Sequence, residues 1–259
     1  PFGGYLVKIA MRILPDRKED KEEGMHLAFL VPMPASKQEH PIGFSAMYVT
    51  QIRQELNRMM GMAKENIATS FQAVLERDVK RVESAEATEE YIDYLNKEIS
   101  QYISNIIVHE TNEKDSTAIS AYFKITGNIE RIGDHAADIA EIIPHLVTVR
   151  KEGDPAVSQA IAMGKKAHQM ILDALDALTA EDENAARRVI AADDAVDYDF
   201  NAIKHQLAQE IAEDPGKVDA ALDLLMVIKY LERIGDHAVN VAEWVQFVRT
   251  GRYKDESMF

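Results

Sequence analysis

The chain has 259 residues, 46% of them hydrophobic and 28% charged, with no cysteine and a net charge of -15. That is enough apolar material for one large or two small domains with packed cores, and it excludes disulfides, thiolate metal sites and cysteine nucleophiles. The acidic balance argues against a nucleic-acid partner, which needs clustered Lys and Arg, and suits multivalent cations or basic surfaces.

Residues 1–40 differ from the rest. Phe2 to Leu14 is an apolar stretch with two interspersed basic residues, followed by the mixed-charge run from Asp16 to Glu23. It is shorter than the roughly 18 apolar residues of a spanning helix. It therefore reads either as a surface amphipathic helix or as the end of a membrane segment. The chain opens on Pro1 without a signal-peptide pattern, which fits a processed product or a piece of something longer. Met25 to Val31 is a further short, mostly apolar run, bounded by Gly24 and Pro32.

From Pro41 onward, helical periodicity dominates. It predicts six helices, at 43–80, 86–109, 115–149, 155–178, 182–212 and 215–249. Asp154-Pro155 and Asp214-Pro215 read as an N-cap followed by a first-turn proline. Asp115 or Ser116 is expected to cap the third helix and Thr179 the fifth, and Pro144 should end or kink the third near Ile143. Strand patterns are nearly absent, so the class is all-α. Trp244 is expected in the core.

Asn128 to Glu141 reads NIERIGDHAADIAE and Tyr230 to Glu243 reads YLERIGDHAVNVAE, with seven consecutive identities from Glu130 to Ala136 against Glu232 to Ala238. Such a match points to an internal repeat. The organisation expected is a membrane-proximal segment at 1–40, three-helix repeats at 41–149 and 150–250, and a tail at 251–259.

At about 100° per residue, Glu130, Asp134, Asp138 and Glu141 fall within roughly 80° of one another, away from the apolar face of Ile132, Ala136, Ile139 and Ile143. In the second copy Glu232, Asp236 and Glu243 take the same arc, with Asn240 in place of Asp138. Gly133 and Gly235 each cost about 1 kcal/mol against Ala inside a helix, which a close helix contact could require. One acidic row is ordinarily a solvated face. Two matching rows favour a function.

The second and fifth helices carry acidic pairs of their own, Glu89 with Asp93 and Asp193 with Asp197. Asp93 and Glu130 are equidistant from the turn signal at 109–115, and so are Glu89 and Asp134. The same symmetry about the Asp-Pro-Gly turn at 214–216 relates Asp197 to Glu232 and Asp193 to Asp236. Antiparallel neighbours therefore bring four carboxylates to one height in each repeat, where they repel unless a cation or protons offset them. All-oxygen donors suit hard or borderline divalent or trivalent ions. His135 and His237 either add a nitrogen ligand or flank the site.

Carboxylates in helical bundles also build di-iron oxidases, but those use Glu-x-x-His on core helices. Here that spacing occurs only from Glu23 to His26, beside Gly24. No Gly-rich phosphate loop, serine elbow or HExxH motif is present. A carboxylate-bridged, metal-dependent hydrolase stays as a lesser alternative.

Two three-helix units, each with E-x-x-x-D in an ERIGDHA context on its last helix, closely resemble PhoU proteins over about 41–249. The resemblance implies a six-helix regulator without an enzymatic reaction, a negative regulator of phosphate uptake and signalling that binds multinuclear metal, often iron. Its core ligands would be Glu130, Asp134, Glu232 and Asp236, with acids of the second and fifth helices contributing, and Asn240 puts the equivalence of the two sites in doubt. Iron, manganese, magnesium, calcium and zinc are not distinguished, and phosphate at the metal site is left open.

Residues 1–16 and the run EEYIDYLNKEISQYI, Glu89 to Ile103, are also similar to bacterial sodium–phosphate cotransporters that carry a PhoU-like tail. This implies a membrane transport domain as partner and a place at the cytoplasmic face of the cell membrane. A free-standing regulator of an ABC phosphate transporter and its sensor kinase is the alternative. The oligomeric state is open, a homodimer included.

Overall fold

The computed structural model describes residues 24–31, 44–108, 112–253 and 256–257. Among these are six α-helices: α1 (Phe44–Glu76), α2 (Ala85–Ile107), α3 (Glu113–Val149), α4 (Pro155–Ala180), α5 (Glu183–Glu213) and α6 (Val218–Thr250). Each presents a stripe of apolar side chains at helical spacing. Ile52, Leu56, Met59, Ala63 and Ile67 of α1 are buried, and so are Ile92, Leu95, Ile99, Ile103 and Ile106 of α2. On α3 the face of Ile132, Ala136, Ile139 and Ile143 is buried as the wheel requires. Each such isoleucine or leucine contributes roughly 1.5–3 kcal/mol of apolar burial.

Helices α1, α2 and α3 pack on one another, as do α4, α5 and α6, giving two three-helix bundles joined along α3–α6 and α1–α4. The class is all-α, with six long helices in tandem. A two-residue antiparallel hairpin, β1 (Arg252–Tyr253) with β2 (Glu256–Ser257), closes the described chain.

Local chemistry fixes the breaks. α1 stops at Glu76, short of the expected boundary at 80, where Arg77 turns to a φ of 53°. Asp78 then caps a 3₁₀ turn, Val79–Val82, by accepting from the Lys80 amide. The cap of α3 is Asn112, which accepts from the Asp115 amide, so Asp115 and Ser116 lie inside the first turn rather than before it. Asp154 accepts from the amides of Ala156 and Val157 ahead of Pro155, as its pattern indicates. α4 runs through Thr179 to Ala180 and ends on Glu181 at φ 50°, and Asp182, not Thr179, caps α5. Asp214 accepts from Gly216 in a short 3₁₀ turn, Pro215–Lys217, before α6 begins.

Pro144 neither ends nor interrupts α3, which continues to Val149. Its ring lies on the exposed side while Ile143 and Leu146 on either side of it are buried. Packing therefore holds the last turn despite the missing hydrogen bond. Trp244 is half-buried at the margin of the core, with its ring stacked on Tyr253 of the hairpin at 4.3 Å. The expected tail thus covers an indole that a strictly internal position would have hidden.

The two bundles meet through an approximate two-fold relation. His135 stacks on Tyr230 with ring centroids 5.4 Å apart, and His237 Nδ1 lies 3.0 Å from Asn128 Oδ1. Asn128 and Tyr230 hold the same position in the two copies of the motif, so the contacts are reciprocal. The matching pair His135 and His237 meet each other at 5.7 Å between rings, at the centre of that relation.

Candidate metal centre

Helices α2 and α3 run antiparallel, and Gly133 lets them close. A Cβ there would stand 3.0 Å from Ile92 Cδ1 and 3.1 Å from its Cγ2, tighter than an interior side chain accepts without movement. Ile92 sits between Glu89 and Asp93, so the contact also sets the distance of those acids from α3. Carboxylate oxygens of Glu89, Asp93 and Asp134 all lie within 4.8 Å of one another. Two ligands of one cation can be separated by at most twice a metal–oxygen bond, about 4.0–5.2 Å for bonds of 2.0–2.6 Å. The 4.8 Å bound falls in the upper part of that range, which bonds of about 2.4 Å reach.

Their electrostatics are those of anions crowded together. Burial first, and then Asp93, Asp134, Glu90 and Glu130, push the Glu89 carboxyl up to about 7. Asp134 is raised by burial and by Asp93 and Asp138, against the lowering effect of Arg131 and His135. Glu130 is raised by burial, Asp134 and Asp93, with Arg131 opposing. Arg131 reaches Asp134 at 2.9 Å and Glu130 at 3.4 Å from its exposed position. One guanidinium against four carboxylates leaves the set strongly negative.

Beside it runs an open cleft of about 540 Å³, lined in part by Glu83, Glu86, Glu89, Asp134, Asp138 and Glu141. Asp138 and Glu141 therefore border the cleft without joining the convergent set. Asp138 instead lies 3.2 Å from His135 Nδ1.

The second repeat has the same arrangement with a difference. Burial and then Asp197, Asp236, Asp194 and Glu232 push Asp193 up to about 6. Asp236 is raised by burial, Glu232 and Asp197, against Arg233 and Lys229. Asp193, Asp197, Glu232 and Asp236 thus share one field. Among the described residues, however, only the first set brings three donors within the stated spacing. In the second, Lys229 Nζ lies 2.6 Å from Glu232 Oε2, and the first repeat has Gly127 at the position of Lys229. Gly235 is also less pressed than Gly133, since a Cβ there meets Met170 and Asp193 at 3.6 and 3.7 Å, ordinary contact.

The histidines face the other repeat. His135 and His237 contact each other, Tyr230 and Asn128, not the acids of α2 and α5. Burial, His135, Arg131 and Arg233 lower His237 to about 4, so it is neutral at physiological pH and suited to hydrogen bonding. Asn240 is half-buried on α6, and Glu243 a turn further on is likewise half-buried; neither enters the convergent set.

Comparison with known proteins agrees with the two-bundle fold. The PhoU domain model matches residues 56–143 and 161–245, two blocks that each end on a motif helix. The chain belongs to the PhoU family. Curated PhoU relatives include a phosphate-specific transport system accessory protein PhoU homolog of Clostridium acetobutylicum, 34% identical over 79% of this chain and 94% of that protein. A homolog of the same description from Caulobacter vibrioides is 33% identical over 82% of this chain and 93% of its own length. The crystal structure of PhoU from Pseudomonas aeruginosa superposes with a TM-score of 0.76 at 24% identity, covering 80% of this chain and 99% of that one. PhoU from Streptococcus pneumoniae, described as a phosphate transport system regulatory protein, gives 0.73 at 20% identity over 82% and 100%. These two show the PhoU fold.

Hard oxygen donors, a spacing that one cation can satisfy and a field that one arginine does not neutralise make the first acidic set a fit for a metal ion. Glu89, Asp93 and Asp134 would hold it, with Glu130 beside them. Sequence reasoning took Glu130 and Asp134 as core ligands with Glu89 and Asp93 contributing; the spacing instead groups Glu89 and Asp93 with Asp134. It missed Lys229, whose one signal was a lysine three residues before Glu232 in one copy and glycine in the other.

Proposed function

We propose that this chain is a metal-binding regulator of phosphate transport, acting as an accessory protein to a phosphate transport system. The regulatory part rests on membership of the PhoU family and on relatives described as accessory proteins, which this chain covers almost end to end. The metal part rests on one observation, the convergence of Glu89, Asp93 and Asp134 from two helices. A bound cation would remove the repulsion among these acids and fix α2 against α3, so its presence can be read on the surface of the first bundle. We assign no reaction to the chain.

The relatives favour the accessory-protein reading over the tail of a sodium–phosphate cotransporter, because 93–94% of their length is matched and little remains in them for a membrane domain. The apolar stretch that suggested a membrane segment lies at residues 2–14, outside the described residues. Among the described residues no helix is long and apolar enough to cross a membrane.

Phosphate uptake in cells deleted for the gene tests the reading. Cells without the chain are expected to keep taking up phosphate when it is plentiful. The wild-type chain restores restraint, and Asp134→Asn does not. Uptake that is the same with and without the chain contradicts the regulatory role.

A further inference from the structure

The apolar run before the first helix is docked on the first bundle, and the docking is built from main-chain recognition. Glu55 on α1 is fully buried. Its Oε2 accepts hydrogen bonds from two consecutive amides, Ala28 N at 2.9 Å and Phe29 N at 2.7 Å. Its Oε1 accepts from Arg58 Nε at 2.6 Å. Arg58 in turn donates to the His26 carbonyl at 2.7 Å and, through its other terminal nitrogen, to Tyr91 Oη at 3.2 Å. The hydroxyl of Tyr91 accepts from the His26 amide at 3.2 Å. Between these polar clamps Leu30 is buried in the core and Leu27 packs against it.

A glutamate fully out of water is costly unless every lone pair is used. Here the partners that satisfy it come from the segment as much as from its own helix. A surface strand lying casually on a bundle would not need them. The receptor reads three amides and one carbonyl of a main chain that bends at Ala28 and Phe29, and leaves selectivity to two apolar seats spaced for leucine.

We propose that the groove between α1 and α2 is a peptide-docking site for a bent segment with two spaced leucines, filled in this chain by its own residues 25–31. Glu55, Arg58 and Tyr91 are its positioning residues. Tyr91 stands on α2 between Glu89 and Asp93, so occupancy of the groove bears on the helix that carries the acidic set. The docking itself does not depend on metal, and its test is read without one.

A fluorescent peptide of residues 24–31, GMHLAFLV, is added to the full chain carrying Leu27→Asp and Leu30→Asp, whose own segment can no longer seat. Saturable binding is expected there and not to the wild-type chain, and adding Glu55→Gln should weaken it by about tenfold or more, the loss of hydrogen bonds to a charged acceptor. No binding to the leucine variant, or binding untouched by Glu55→Gln, overturns the proposal. Hydrogen exchange in the unmodified chain gives a second reading should that variant fail to fold. The amides of Ala28 and Phe29 are expected to be protected, and exchange at free-peptide rates overturns the docking.

Discussion

A single carboxyl shows what the acidic set costs the metal-free protein. Glu89 is held near 7 instead of 4.5 by burial and by its acidic neighbours. A carboxylate whose pKa is raised by folding favours the protonated folded state. The associated stability is fully present below pH 4.5 and is lost as pH rises through about 7. Glu89→Gln keeps the shape and removes the charge. Without metal, this variant should therefore melt close to the wild type at about pH 5 and increasingly above it towards about pH 8, as followed by circular dichroism. A constant difference across that range would mean that Glu89 titrates normally. His237, lowered from 6.5 to about 4, works in the opposite sense, but it is common to both proteins and cancels in the comparison.

On the scale of the helix, the paired glycines separate two roles that the sequence could not tell apart. Both sit in identical heptapeptides. A methyl group on Gly133 would meet Ile92 at 3.0 Å, whereas one on Gly235 would find only ordinary contacts. Gly235→Ala is expected to stabilise the protein by about 0.5–1 kcal/mol through helix propensity. Gly133→Ala should gain nothing or lose about 1 kcal/mol, since overpacking offsets the gain. Urea unfolding of the two variants decides it, and equal stabilisation would show that α2 does not press on Gly133.

The same scale explains what was legible beforehand. Periodicity and repeated Asp-Pro pairs located the helices, and equal distances from a turn paired the acids of α2 with those of α3, because antiparallel geometry is nearly rigid. Caps were less legible. Asn112 displaced Asp115 and Asp182 displaced Thr179 because each stretch offers several capping side chains and local sequence does not rank them. Pro144 does not end its helix because buried neighbours, invisible to local rules, hold the helix through it. The partners of the histidines were illegible for a related reason: the wheel shows that they leave the acidic arc but not that a second repeat waits on that side.

For the whole molecule, the two bundles are joined by motif helices and by a contact that no motif announced. Phe71 of α1 lies over Gly164 of α4, where an added Cβ would stand 1.9 Å from the ring. Gly164→Ala should cost about 3 kcal/mol by forcing the bundles apart. Phe71→Ala in the same chain should recover part of that loss, giving a coupling measurable by a double-mutant cycle. Simple addition of the two effects would place the strain elsewhere.

The reciprocal stacking of α3 and α6 also makes the molecule a near-symmetric pair with unequal sites. The first acidic set has glycine where the second has Lys229, an internal cation already 2.6 Å from Glu232. The sites should consequently fill in order. Manganese titration of the metal-stripped chain, followed by calorimetry, tests this order and the existence of the metal centre together. Saturable binding is expected to fill a tighter site first, with that site abolished by Asp134→Asn while the helical content is unchanged. Absence of saturable binding to the wild type, or an identical titration for Asp134→Asn, would contradict a metal centre at Glu89, Asp93 and Asp134.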